Sequence, residues 1–160
     1  MVRIAGFKGV VDDPEKTLAI ARKNCNGDFQ LLRADMVFGQ AHLQTAVDHA
    51  SRSLREGRNS SSSIATEMML YAAGTRQIGK AIEKMGIRSG DAEIALVAFG
   101  DFDFKEFEEK TLLRRDDSVL VGNWGMLREF GISDRELASV PESKAFDLVL
   151  ERVALVDMLK

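Results

Sequence analysis

Ile64-Ala-Thr-Glu-Met-Met-Leu-Tyr-Ala-Ala-Gly74, followed by Thr75-Arg-Gln-Ile-Gly-Lys-Ala-Ile-Glu-Lys-Met85, reads as two helices in succession. From Ile64 to Ala73 eight of ten residues are apolar, and only Thr66 and Glu67 are polar. A helix with no polar face must be covered on every side, by its own domain or by a partner. That pattern points to an assembly subunit before it points to an enzyme. Gly74 ends the first helix, and Thr75 is the expected N-cap of a second over Arg76 to Met85. Ile78, Ala81, Ile82 and Met85 then form one apolar stripe, closed by Gly86.

Upstream, Gly39 to Glu56 has Leu43, Ala46, Val47, Ala50 and Leu54 at spacings of three and four, which predicts a helix ended by Gly57. Gln44, Asp48, Arg52 and Arg55 lie on its other side. Val2 to Val11 predicts a strand with a bulge at Gly6. Asp13-Pro14-Glu15 is a helix start of acid cap, proline and first-turn acid, and that helix ends near Gly27. Phe29 to Ala34 predicts a second strand.

Downstream, Glu93 to Phe99 is a nearly continuous apolar run, as a central strand would be. Asp101 to Lys110 reads as a loop entering a helix, and Met126 to Phe130 as a short helix. Ser133-Asp-Arg-Glu136 fits a capping box, and Ser143 to about Glu151 is helical. The β-branched content of Val153 to Leu159 favours a strand. The expected fold class is α/β: one domain over residues 1–160, with a small mixed or mostly antiparallel sheet of about four to five strands flanked by many helices.

A chain of 160 residues, 45% of them hydrophobic, is long enough for one core. Arg3, Lys8, Asp12 and Asp13 interrupt the apolar start that a secretion signal requires. No segment approaches the roughly 20 apolar residues of a membrane span. Cys25 is alone, which fits a reducing, cytoplasmic setting and a packing role. The net charge of −3 argues against non-specific binding of nucleic acid over the whole surface. Yet residues 40–80 hold five basic and three acidic side chains, a local +2 that leaves −5 elsewhere.

Arrangements for catalysis are scarce. The chain has no Walker loop and no dinucleotide-binding glycine pattern, and Gly122-Asn-Trp-Gly125 reads as a turn. His42 and His49, seven apart on one helix, cannot chelate one metal together and read as surface or partner-facing groups. Asp101 and Asp103 follow the central strand, where acid pairs can work. The structural reading is that Asp103 caps the next helix and Asp101 starts the turn. The basic cluster is more informative. Arg52, Arg55 and Arg58, with Arg76 and Lys80, would converge around Asn59 and the serines if this segment folds compactly. They would then offer cations and hydroxyls to phosphates.

Several of these residues also form a family pattern: Gly39-Gln-Ala-His-Leu, Ala46, Ala50, Glu67-Met-Met-Leu-Tyr71, Gly74-Thr-Arg-Gln-Ile-Gly-Lys-Ala-Ile82 and Met85-Gly-Ile87. Weaker matches are Asp117-Ser-Val-Leu120, Leu127-Arg-Glu-Phe-Gly-Ile132 and Val153-Ala-Leu-Val-Asp-Met158. Over about two thirds of its length the chain resembles the kinase-binding regulatory subunits of the KEOPS complex, the PRPK-binding protein family. It departs from that pattern with Met68-Met69 and Ala72-Ala73 where leucines are expected, and with its run of four serines.

The resemblance implies a non-catalytic subunit without cofactor or metal. It implies binding to the small lobe of the KEOPS kinase-like ATPase and to the 3′ CCA end of tRNA, in support of threonylcarbamoyladenosine formation. Carried over, Arg55, Arg58, Asn59, Ser60, Arg76, Gln77 and Lys80 are the expected tRNA contacts. Ile64 or Tyr71 would be the surface for unstacked bases, and Met68 and Met69 the expected kinase contacts. Two other readings stand beside this one: a small α/β enzyme using Asp101/Asp103 or His42/His49, and an adaptor without RNA contact.

Overall fold

Glu93–Phe99 (β3) is the strand on which the rest is assembled. The structure, a computed structural model, describes residues 1–159. β3 pairs antiparallel with β1 (Arg3–Gly9) on one side and β2 (Asp28–Arg33) on the other. A three-residue strand, β4 (Leu113–Arg115), adds to β1 and completes an antiparallel sheet of order β2-β3-β1-β4. Too short to show any alternation, β4 is absent from the sequence-based expectation.

Both faces of the sheet are covered, so β3 is apolar on consecutive residues. Ile94, Leu96 and Ala98 turn toward Phe7, Leu31, Ala21 and Phe107, under α1 (Pro14–Asn24) and α5 (Phe104–Lys110). Ala95 and Val97 face the larger core of α2 (Gln40–Arg55), α3 (Ile64–Ala73), α4 (Ile78–Met85) and α8 (Ala145–Leu155). Two short helices, α6 (Leu127–Phe130) and α7 (Asp134–Ala138), close the end of that layer. Among the described residues no helix is long and apolar enough to cross a membrane.

The local start signals act as read. Asp13 accepts from the amides of Glu15 and Lys16, Asp103 accepts from Glu106, and Ser133 with Glu136 forms the capping box. Four expectations are corrected. Gly6 is not a bulge, because it pairs in register with Ala95. It is glycine because a Cβ there would sit 2.5 Å from Val119 Cγ2 and 2.6 Å from the Asp116 carbonyl oxygen.

α4 begins at Ile78, not Arg76. The Thr75 hydroxyl accepts the Gln77 amide 3.1 Å away, a local turn that holds Thr75–Gln77 outside the helix. The α4 stripe is also only half core. Ala81 and Met85 are buried, whereas Ile78 is 43% and Ile82 53% exposed.

The C-terminal segment is no strand: α8 runs to Leu155 and continues as a 3-10 turn over Val156–Leu159. Val149, Val153 and Val156 recur at helical spacing and are buried in the α2–α3 core. Tertiary packing there overrides β propensity.

Candidate functional site

Three pieces of chain meet alongside α3. The first is the loop Glu56–Ser63 after α2, the second is the Thr75–Gln77 link with the first turn of α4, and the third is the C-terminal turn. Between them lies an open groove of about 1000 Å³. Arg58, Asn59 and Ser60 line one side, and Arg76, Gln77 and Lys80 line another. The loop and the link are thus brought together as the sequence suggested. Arg55 is exposed on α2 outside the groove lining, and Ile64 is half-buried against the core.

The loop is held from inside by Glu67, a wholly buried carboxyl side chain. Its Oε1 accepts the amides of Ser60 and Ser61, each at 2.9 Å, and its Oε2 accepts the Ser53 hydroxyl at 3.0 Å. Ser61 and Ser63 make further bonds. Ser63 caps α3 at the Thr66 amide and donates its hydroxyl to Asp28, and Ser61 accepts the Ser63 amide. Of the four serines, Ser60 alone lines the groove among the described residues. The run is first a folding device.

Charge in the groove is mixed. Arg58 pairs with Glu56 at 2.9 Å and with Asp157 at 3.6 Å. Arg76 donates to the carbonyl of Leu159. Lys80 makes no ion pair among the described residues and leaves its ammonium to the solvent side. Asp157 and Leu159 come from the C-terminal turn, and the sequence reading assigned them no role. Once that segment is read as a strand, nothing in its composition brings it here.

Asp157 is firmly seated. The Tyr71 hydroxyl donates to its Oδ1, and His49 Nδ1 lies 3.2 Å from its Oδ2. The same nitrogen lies 3.2 Å from an Arg52 amino group. It donates to Asp157 when it carries the proton and accepts from Arg52 when bare. Partial burial opposes ionisation of Asp157, but the Tyr71 and His49 hydrogen bonds and the Arg58 charge outweigh it, and its pKa falls below the ordinary carboxylate value.

Tyr71 is therefore an anchor and not a base platform. Its ring is fully buried and stacks on His49 at 5.3 Å. Met68 and Met69 are 0% and 3% exposed, inside the main core, so neither presents surface to a kinase. The unbroken apolar helix is covered by its own domain, on all sides.

The acid and histidine pairs do not assemble a reactive centre. Asp103 is occupied as the α5 cap, and Asp101 is exposed and 3.4 Å from Arg3. His42 is buried, contrary to the surface role expected of it. It accepts the Phe38 amide at Nδ1 and donates from Nε2 to the Ala72 carbonyl. Among the described residues no three His, Cys, Asp or Glu side chains are grouped to hold a metal.

A second hollow, more apolar and about 690 Å³, lies between Trp124, Leu127, Leu137, Val140 and Phe146. Trp124, in its lining, is 44% exposed.

Residues 7–121 match the family model described as kinase binding protein CGI-121. The matched span contains Arg58, Ser60, Arg76 and Lys80, while Asp157 and Leu159 lie beyond it. The chain is also similar to a protein of Methanocaldococcus jannaschii named "Regulatory protein Cgi121". The two are 30% identical over 135 residues, which is 82% of this chain and 85% of that one.

Proposed function

This chain belongs to the kinase binding protein CGI-121 family, and from that premise we propose that it is a non-catalytic, cytoplasmic KEOPS subunit with two partners. One is the kinase-like ATPase of the complex, and the other is the 3′ CCA end of tRNA. Its role is to present tRNA for threonylcarbamoyladenosine formation, while bond-making is left to other subunits.

The observation that carries the RNA part is the meeting of Arg58, Arg76 and Lys80 in one open groove. Three cations from two segments, the loop after α2 and the link into α4, with Asn59 and Gln77 beside them in the lining, suit a phosphate backbone that bends as single strands do. The kinase part rests on the family. Exposed Ile78 and Ile82 on α4 and the Trp124 end offer apolar surface, which the buried Met68 and Met69 do not.

The test is binding of mature tRNA against tRNA trimmed of its last three nucleotides, over a salt series. The intact tail should bind more tightly, with log affinity falling by about 0.7 per contacted phosphate for each log unit of salt. Arg76→Glu should weaken that preference while co-purification with the kinase persists. Equal binding of intact and trimmed tRNA would defeat the tail assignment and favour an adaptor without RNA contact.

A further inference from the structure

The groove already holds an anion of its own. Asp157 faces Arg58 across 3.6 Å, and the Leu159 carbonyl takes a hydrogen bond from Arg76. Two of the three groove cations are thereby engaged by one four-residue turn, Val156–Leu159. We propose that this turn is an internal competitor: it occupies the positions that ligand phosphates would take, and a polyanion enters by displacing it. The inference rests on the reading of the groove as an RNA site and adds its regulation.

The turn is built to be held and to be released. Val156 is buried and fixes its root in the core. Beyond that root, Met158 is 80% and Leu159 53% exposed, so apolar packing retains these residues only weakly. What retains the tip is mainly polar: the Tyr71 hydroxyl, His49 and Arg58 on Asp157, and Arg76 on the Leu159 carbonyl. The two arginine contacts are partly exposed, individually weak and exchangeable for phosphate oxygens on the same donors. Release therefore leaves the fold standing, because Val149, Val153 and Val156 stay where they are.

Asp157→Asn tests this in the full chain. The amide oxygen can still accept from Tyr71, which preserves the root, while the charge facing Arg58 is gone. Asp48→Asn, an exposed neutralisation on α2, controls for net charge. Two probes are titrated by fluorescence anisotropy: mature tRNA and linear inorganic polyphosphate. Hydrogen exchange of residues 156–159 is followed without ligand.

The expected result is faster exchange in the turn and tighter binding of both probes by Asp157→Asn, about threefold or more, with no change in Asp48→Asn. Unchanged or weaker binding of polyphosphate by Asp157→Asn would overturn the competition. If polyphosphate binding tightens but tRNA binds no better than polyphosphate, the competition stands and the RNA reading of the groove fails.

Discussion

His42 donates from Nε2 to the carbonyl of Ala72 over 2.9 Å, joining the first turn of α2 to the last turn of α3. Its Nδ1 accepts the Phe38 amide at 3.1 Å, so the ring must be neutral and carry its proton on Nε2. Burial is the main reason its pKa is lowered from 6.5 to about 4, with the Lys84 charge adding and the Ala72 bond opposing. Between those two values the unfolded chain binds a proton that the folded chain refuses. Stability is therefore full above pH 6.5 and declines as the pH falls toward 4.

The expected loss from this one group is about 2 kcal/mol between pH 6.5 and pH 5. Urea unfolding at a series of pH values measures it. His42→Gln should be less stable at neutral pH but flatter through this window. The carboxylates held below their ordinary range, Asp116, Asp117, Glu136 and Asp157, titrate under the window and do not blur the comparison. A parent chain equally stable at both pH values would contradict the buried neutral ring.

Glu67 gives a second prediction. Its two carboxyl oxygens take the amides of Ser60 and Ser61 and the hydroxyl of Ser53. Glu67→Ala strips three donors of their acceptor and opens a void beneath the loop, which should cost about 2–4 kcal/mol. Amide exchange at Ser60 and Ser61 should accelerate more than at Ala95 in the central strand. Uniform acceleration would mean that Glu67 serves the whole core and not the loop.

Gly6 supplies a third. Alanine there would press its methyl within 2.5 Å of Val119 Cγ2 and 2.6 Å of the Asp116 carbonyl oxygen. One of those atoms is backbone, so the Asp116–Val119 turn must shift and strain its bond from the Asp116 amide to the Gly6 carbonyl. Gly6→Ala should destabilise by about 2 kcal/mol, read from the denaturant midpoint.

Where the sequence read true, the signal was local. Asp13-Pro14, Asp103 and Ser133 with Glu136 cap helices through bonds within a few residues, and each acts as its spacing implies. Apart from the local Thr75 turn that delays α4, where it misled the deciding partner lay far along the chain. His42 is buried because Ala72 is thirty residues away, and Asp157 enters the groove because Tyr71 is eighty-six away. The valines of the C-terminal segment looked β-forming until the α2–α3 surface gave them helical positions. The convergence of Arg58 with Arg76 was legible, since two short connections confine it; the acid facing Arg58 was not.

Met68 separates core from interface. An all-apolar helix invited the reading of Met68 and Met69 as partner contacts, yet Met68 is wholly buried among core residues of the α2–α3–α8 layer. Met68→Ala should therefore act as a cavity mutation and lower stability by about 2–5 kcal/mol. The folded fraction should bind the kinase with unchanged affinity. Ile82→Glu is the counterpart: Ile82 is 53% exposed on α4, so a charge there is tolerated by the fold. Calorimetric titration of both variants with the kinase, below their melting temperatures, separates the two roles. Loss of kinase affinity in fully folded Met68→Ala would return the buried helix to the interface. Loss in Ile82→Glu with Met68→Ala unaffected would place the contact on the outer face of α4.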